Sequence, residues 1–366
     1  MASGSEKQKL PPYRLVASLD RFRKLLLQLN RRLFPGNVVL YEHFQYFWML
    51  PALYVAARLD IASLLQRNPL TAEEIARATG CTTEGIRRIM RALSSQGVFA
   101  IGKQGRYRLN RLSRPLLPGP GSLRDMILHH LGPLNWQLMS HLELAVRTGN
   151  DPFSHLHGKG IYEYLKEHPE EYALFDRSMT NLSDLSIGPI LHAHNFSVYD
   201  SIADIGGGEG ALLASILRGN PEISGILFDT AEGLVKAPAY LQRMKVSGRI
   251  SITEGDFFSD APKNAALYIL KNIIHNWNDQ DCKRILGNIR QQMPPHSKVM
   301  IIEMIIPESN KPSFSKLLDI QMLASMKGGK ERTAAEFRSL LSESGFSAPR
   351  IIPTIAPLAL IIAGKA

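Results

Sequence analysis

The chain has 366 residues, 45% of them hydrophobic and 21% charged, with a formal net charge of +10. That balance excludes a disordered chain and a collagen-like repeat, and the length suits two or three domains of about 100–200 residues each. The two cysteines, Cys81 and Cys282, form no metal-spaced cluster, so we expect reduced thiols in a cytoplasmic protein and no metal site.

The positive excess is local. Lys7, Lys9, Arg14, Arg21, Arg23, Lys24, Arg31 and Arg32 face only Glu6 and Asp20, so residues 1–37 read as a basic arm. Its first nine residues are polar and show no leader pattern. Leu15, Leu19, Phe22, Leu26, Leu29 and Leu33 recur in steps of four and three, one stripe of a helix. Such a helix either docks on a partner subunit with its basic face in water, or makes a weak contact with an anionic membrane surface. The most apolar window, FQYFWMLPALYVAA at 44–57, is shorter than the ~20 residues of a spanning helix and contains Pro51. We read it as a buried helix.

Residues 38–115 carry a winged-helix pattern. Thr71-x-x-Glu74 is a capping box, Ile75, Ala76 and Ala78 are expected to pack inward, and Gly80 closes that helix. A second helix places Ile86, Ile89, Met90 and Leu93 inward, and 98–101 with 107–109 form a wing around the glycines at 102 and 105. Arg87, Arg88 and Arg91 sit where a DNA reader would carry them. A winged helix joined to a further domain is more often an interaction module, so no nucleic acid is expected.

Residues 116–195 read as helices with breaks near 118–121 and 149–152. Phe175 and Met179 share a helix face there, and His129, His130, Trp136, Phe153 and His155 are further polar or aromatic candidates. Residues 196–366 alternate apolar strands with helical segments. Strands are expected at 200–205, 225–229, 250–254, 267–270, 299–306 and 358–363, and helices at 211–218, 279–291 and 334–343. That alternation argues a doubly wound, mostly parallel sheet of the α/β class.

After the first strand comes DIGGGEGA, with Asp204, Gly206, Gly208 and Gly210 evenly spaced. Glycines here let the backbone turn tightly and approach a ligand at a helix N-terminus. The spacing also satisfies a relaxed dinucleotide fingerprint, so nicotinamide and S-adenosylmethionine readings both begin here. Asp229 ends the second strand, where a carboxylate can take two ribose hydroxyls. After the third strand, Asp256 can accept from an adenine amino group and Phe257 can lie on the ring. Lys271 is placed to meet a carboxylate, which S-adenosylmethionine carries. Against these stand a turn residue at Asp256 and a solvated charge at Lys271. His275 ends the apolar run YILKNII; it is either a packed core histidine or a base at the mouth of a site.

From about residue 38 onward, this ordered set resembles the plant-type small-molecule O-methyltransferases and their bacterial relatives, a family that includes caffeic acid and hydroxyindole O-methyltransferases. The residues that carry the likeness are the 204–210 loop, Asp229, Gly255-Asp256-Phe257-Phe258, Lys271 with His275 and Trp277, Glu303, and GGKERT at 328–333. The resemblance implies a Rossmann-like, mostly parallel seven-stranded sheet at 196–366 behind a mostly helical winged-helix domain that forms a homodimer, with 116–195 contributing to the acceptor pocket. It implies S-adenosylmethionine as cofactor and S-adenosylhomocysteine as product. It makes His275 the general base, with Glu303 and Glu331 flanking it, and Phe175, Met179 and Met322 an apolar clamp for a flat ring, with Met326 nearby.

The chemistry agrees. A phenol with a pKa near ~10 holds little phenolate at neutral pH, and an imidazole with a pKa of ~6.5 is a suitable base. A lone Glu303 amid VMIIEMII is costly to bury without a partner. For Glu331 a helix-start charge is the other reading, and for the clamp residues plain core packing. Two positions depart from the family: Asn276 stands where it commonly has Asp, which puts acceptor orientation in question, and Glu209 stands where it has a small or neutral residue. The expected activity is methyl transfer to a hydroxyl of a small aromatic, phenolic or polyketide-like metabolite. The alternatives are a cofactor-binding protein with a non-methylating reaction, a nicotinamide-dependent oxidoreductase and a DNA-binding, ligand-sensing regulator.

Overall fold

The computed structural model describes residues 10–119 and 121–366. Glu6, Lys7 and Lys9 of the basic arm, and Pro120 in the break at 118–121, lie outside the described residues. The chain forms two compact units. One holds the described residues up to Phe22 together with 141–161 and 185–366; the other holds 23–140 and 162–184.

In the second unit, helix Ala72–Thr79 starts on a complete capping box: the Thr71 hydroxyl accepts from the Glu74 N–H at 3.3 Å, and the Glu74 carboxylate accepts from the Thr71 N–H at 2.7 Å. Ala72, Ile75 and Ala76 face the core, whereas Ala78, expected inward, is exposed. The three- and four-residue steps from Ala72 define the buried stripe, and position 78 falls outside it. Helix Thr83–Ser95 buries Ile86, Met90 and Leu93. The wing is a short antiparallel pair, β1 (Ala100–Ile101) and β2 (Tyr107–Arg108). Arg87 pairs with Glu73 and Glu84, and Arg88 with Glu84, so two of the three arginines of this helix are already matched by acids.

Helices Gly36–Phe44 and Tyr46–Arg58 lead into this core and bury Ala52, Ala56 and Ala57. The window 44–57, expected to be one buried helix, is broken at Gln45 and uncovered in its first half: Phe44, Phe47 and Trp48 are each more than half exposed, with Phe44 and Trp48 packed edge-to-face at 4.9 Å. Next to them Phe47, Pro51, Tyr54, Val55, Leu131, Pro133 and Trp136 line an apolar hollow of about 350 Å³. The arm does form the expected helix, Tyr13–Leu33, and none of its residues is buried. No single helix among the described residues is long and apolar enough to cross a membrane.

The other unit is built on a sheet of β3 (Ser201–Ile205), β4 (Ser224–Asp229), β5 (Ile250–Glu254), β6 (Leu267–Lys271), β7 (Lys298–Ile306), β8 (Arg332–Thr333), β9 (Arg350–Pro353) and β10 (Leu358–Gly364). Seven strands run in the order β5-β4-β3-β6-β7-β10-β9, and the two-residue β8 pairs in parallel with the end of β7. The five strands from β5 to β7 are parallel; β10 is antiparallel to both its neighbours. Alternate residues feed opposite faces. Ile202, Leu267, Ile269, Met300 and Ile302 pack with Leu213, Ile216 and Leu217 of helix Ala211–Gly219. Ala203, Ile205, Tyr268, Leu270, Val299 and Ile301 pack with Ile285, Leu286 and Ile289 of helix Asp279–Gln292 and with Phe337, Leu340 and Leu341 of helix Ala334–Glu343. Both faces are therefore covered, which permits near-continuous apolar strands.

β3 is followed in sequence by β4 on one side, whereas β6 joins it on the other. The strand order reverses between β3 and β6, and the carboxyl ends of strands at such a switch point are where open α/β sheets bind ligands.

Candidate active site

The loop after β3 is shaped for a ligand. Gly206, Gly208 and Gly210 all adopt positive φ, at 67°, 58° and 84°. A Cβ at Gly208 would meet nothing within 4 Å, so its backbone borders open space, whereas one at Gly207 would strike Leu227 at 2.5 Å and Asp204 at 2.8 Å. The Gly208 N–H donates to Asp229 Oδ2 at 2.8 Å, and Oδ1 accepts from the Thr230 N–H at 2.7 Å. A carboxylate oxygen has two lone pairs, so Asp229 accepts further donors, of which the Thr230 side chain is one. Phe257 stands on the other side of the loop, its Cε1 at 3.7 Å from where a Gly206 Cβ would be. Asp256 is exposed, and its Oδ1 accepts from the Phe258 N–H at 2.9 Å, as in a turn.

Asp204 and Lys271 lie on adjacent strands, two residues out of register. Burial pushes the Asp204 carboxyl up to about 7, the Lys271 charge draws it down and Asp229 adds to the rise. Lys271 therefore sits in the field of a buried acid at the carboxyl end of β6. Open backbone at Gly208, the Asp229 carboxylate, the flat ring of Phe257 and the cation of Lys271 are the groups here that could hold an adenosyl amino acid.

Past β6 the chain makes a tight 3-10 turn, Ile274–Asn276. His275 is on it, with a side chain 13% exposed. Its Nδ1 lies 2.7 Å from Oε1 of Glu331, whose side chain is fully buried. Set against a carboxylate oxygen, Nδ1 is the donor of this pair, and in the neutral ring Nε2 is then the nitrogen that keeps a lone pair. Glu303 on β7 plays a different part: its Oε1 accepts from the His275 backbone N–H at 3.1 Å, and no polar partner meets its buried Oε2. Burial pulls the His275 pKa down, but the Glu331 hydrogen bond and the charges of Glu303 and Glu331 outweigh it and leave it raised, with Arg332 opposing. The Glu303 carboxyl is raised in turn, chiefly by burial.

The GGKERT segment closes over this turn. A Cβ at Gly329 would come within 2.8 Å of the His275 carbonyl oxygen, so only a glycine permits the approach. The Lys330 N–H donates to that carbonyl at 2.9 Å. Sequence reasoning missed two residues here. Asp319, on helix Phe314–Ser325, accepts from the Glu331 backbone N–H at 2.8 Å and so fixes the segment that carries Glu331. Arg332 is one of the largest fully buried side chains in the protein and holds the 274–277 turn through its carbonyls. The signal for Arg332 was its place next to Glu331; nothing in the sequence pointed to Asp319.

The expected acceptor residues divide between the units. Met322 and Met326, at the end of helix Phe314–Ser325, are buried in the unit with His275. The Asn276 amide donates to the Asn272 carbonyl at 3.2 Å, which turns its NH₂ group back on its own loop. Phe175 and Met179 are half-buried on the helix Pro169–Ala193, in the stretch that belongs to the other unit. There Phe175 packs edge-on against His129 at 5.5 Å and Tyr162 at 6.4 Å. Burial pushes His129 down to about 4, so it is neutral. Of the other candidates, Phe153 is core, His155 is exposed, and Trp136 belongs to the apolar hollow.

Residues 139–347 match the family model of an O-methyltransferase domain, and residues 41–119 match that of an O-methyltransferase dimerisation domain. The chain is 35% identical over 328 residues to phenazine O-methyltransferase PhzM of Lysobacter antibioticus, covering 89% of this chain and 96% of that protein. It is 30% identical over 319 residues to phenazine-1-carboxylate N-methyltransferase of Pseudomonas aeruginosa, covering 87% and 94%. Among solved structures, CalO1, a methyltransferase in calicheamicin biosynthesis in its SAH-bound form, superposes with a TM-score of 0.80 at 32% identity, covering 90% of this chain and 98% of that one.

Proposed function

Because this chain belongs to the S-adenosylmethionine-dependent O-methyltransferase family, we propose that it methylates a hydroxyl on a small, flat aromatic metabolite, with His275 as the general base. The observation that carries this reading is the His275–Glu331 hydrogen bond of 2.7 Å, at the carboxyl end of β6 and across the strand switch from the glycine loop. The bound cofactor supplies the electrophilic methyl. The chain's own residues do the rest. The loop at Gly208 and Asp229 holds the adenosyl portion, Phe257 and Asp256 its base, and Lys271 its carboxylate. His275 Nε2 takes the proton from the acceptor hydroxyl, Glu331 stabilises the imidazolium that results, and Glu303 fixes the turn.

In the same reading, Phe175, Met179, Met322 and Met326 clamp the ring, and Asn276 sits beside the base where it orients the acceptor. Residues 38–115 form a homodimer whose contact includes the uncovered Phe44, Phe47 and Trp48. The arm helix Tyr13–Leu33 lies on that partner rather than on a membrane, residues 116–195 lend helices to the acceptor pocket, and 196–366 is the catalytic domain. Relatives that methylate nitrogen make an N-acceptor the second reading; such an acceptor brings its own lone pair and needs the base less.

The test is a screen of hydroxylated and aminated aromatic metabolites with labelled methyl donor, on the native protein and on His275→Ala. A phenolic substrate, with a loss of about 10²–10⁴-fold in the variant and unchanged S-adenosylhomocysteine affinity, is the expected result. Full turnover in the variant would overturn the assignment of the base.

A further inference from the structure

Two carboxylates act on one imidazole in this site, and burial is the largest but not the only influence that works against them. Glu303 and Glu331 favour the imidazolium, which is a poor base. The cation that opposes them is Arg332, whose side chain is fully buried. Its Nη1 donates to the Ile274 carbonyl at 3.0 Å, its Nη2 to the Trp277 carbonyl at 2.9 Å, and its Nε and Nη2 both to Asp279 Oδ1, at 3.0 and 2.7 Å. Longer contacts reach the Lys330 carbonyl and the Cys282 sulfur, both at 3.4 Å.

The two carbonyls lie on either side of His275 and Asn276. With the Lys330 N–H on the His275 carbonyl and Glu303 on the His275 N–H, the turn is gripped from both ends. We propose that Arg332 is a positioning residue for His275, spanning the turn with its planar fork while its charge offsets those of Glu303 and Glu331, so that the ring is oriented yet able to take up a proton. A guanidinium suits this because it presents five donors in one plane and stays charged when buried. A lysine has one nitrogen and cannot reach two carbonyls and Asp279 together.

The charged groups around the ring are Glu303 from β7, Glu331 and Arg332 from the closing segment, and Asp319 behind Glu331 from the helix Phe314–Ser325. Asp279 and Cys282, on helix Asp279–Gln292, lie beyond Arg332, and Lys330 pairs with Asp279 and Glu336 outside. Burial holds the Cys282 thiol up to about 12, so it stays neutral. Arg332 is thus the cation that both grips the turn and opposes the two glutamates at the ring.

This inference rests on His275 being the base, and its test needs no acceptor. The His275 imidazole is titrated by NMR on histidine-labelled, cofactor-free protein, assigned against His275→Asn, with thermal melting and S-adenosylhomocysteine affinity as controls of the fold. Arg332→Gln is expected to move the His275 midpoint to higher pH. Arg332→Lys keeps the charge, so the midpoint stays near the native one while the downfield Nδ1–H signal of the Glu331 hydrogen bond weakens. Asp279 is half exposed, and Asp279→Asn, which leaves the fold least disturbed, is expected to move the midpoint down by unmasking the guanidinium. A midpoint that stays put in both Arg332→Gln and Asp279→Asn would overturn the proposal; if Arg332→Gln does not fold, an unmoved Asp279→Asn midpoint does so alone. Full turnover in His275→Ala removes the base assignment itself, a separate failure with a separate readout.

Discussion

His275 and Glu331 meet through a single 2.7 Å contact at Nδ1, and that contact decides which ring nitrogen can act. A glutamine at 331 has nearly the same shape, but its amide can present NH₂ instead of oxygen and no longer compels the proton onto Nδ1. Glu331→Gln is expected to cut kcat by about 10²-fold with KM for the methyl donor unchanged. Steady-state kinetics on the two proteins checks this, and a fall confined to KM would contradict it.

With His275 as the proposed base, its raised pKa sets the pH dependence. The base must be neutral to work, so kcat climbs as pH rises through a midpoint above 6.5 and is lost below it. Glu303→Gln removes one of the charges that raise it, yet keeps an oxygen for the His275 N–H. The acid limb is therefore expected at lower pH in that variant. A pH–rate profile gives the answer, and a shift in the other direction would sink the electrostatic account.

Two neighbouring glycines should separate binding from folding. At Gly208 an added methyl meets nothing in the free protein, so Gly208→Ala costs only the strain of a positive φ, about 1–2 kcal/mol, while intruding on the cofactor. At Gly207 the methyl strikes Leu227 and Asp204. We expect Gly208→Ala to lower cofactor affinity tenfold or more with a small change in Tm, and Gly207→Ala to lower Tm markedly. Calorimetry and thermal melting distinguish the two.

Phe47 and Trp48 lie uncovered beside the apolar hollow. An aromatic patch of this kind is a liability unless a second surface covers it. The double change Phe47→Glu and Trp48→Glu is expected to convert a dimer to monomers at micromolar concentration, read by light scattering. A native protein already monomeric there would refute the assignment of this face.

Most of the catalytic scaffold was legible because its signals are local. Continuous apolar runs marked the parallel strands, a capping box marked helix Ala72–Thr79, and helices at 279–291 and 334–343 came within a residue of their observed ends. β9 was missed: RIIP is four residues long, ends in proline and lies at the sheet edge, so it carries little pattern. Glu303 stood out as an acid inside an apolar strand, but its target, the backbone N–H of His275, depends on a 3-10 turn that has no distinctive composition. Asp319 was invisible for the same kind of reason, since its partner is the main chain of a loop twelve positions away.

Arg332 and the Ile274 carbonyl it grips are 58 positions apart in the chain. Between them lies the helix Phe314–Ser325, which supplies Met322 to the proposed acceptor clamp and Asp319 to the Glu331 backbone. The stretch that would have to drift for the enzyme to take up a new acceptor is thus strung between the base and its anchor. A change of length in that helix would shift Asp319 and, through it, the backbone of Glu331, whereas an exchange of side chains along it would leave both in place.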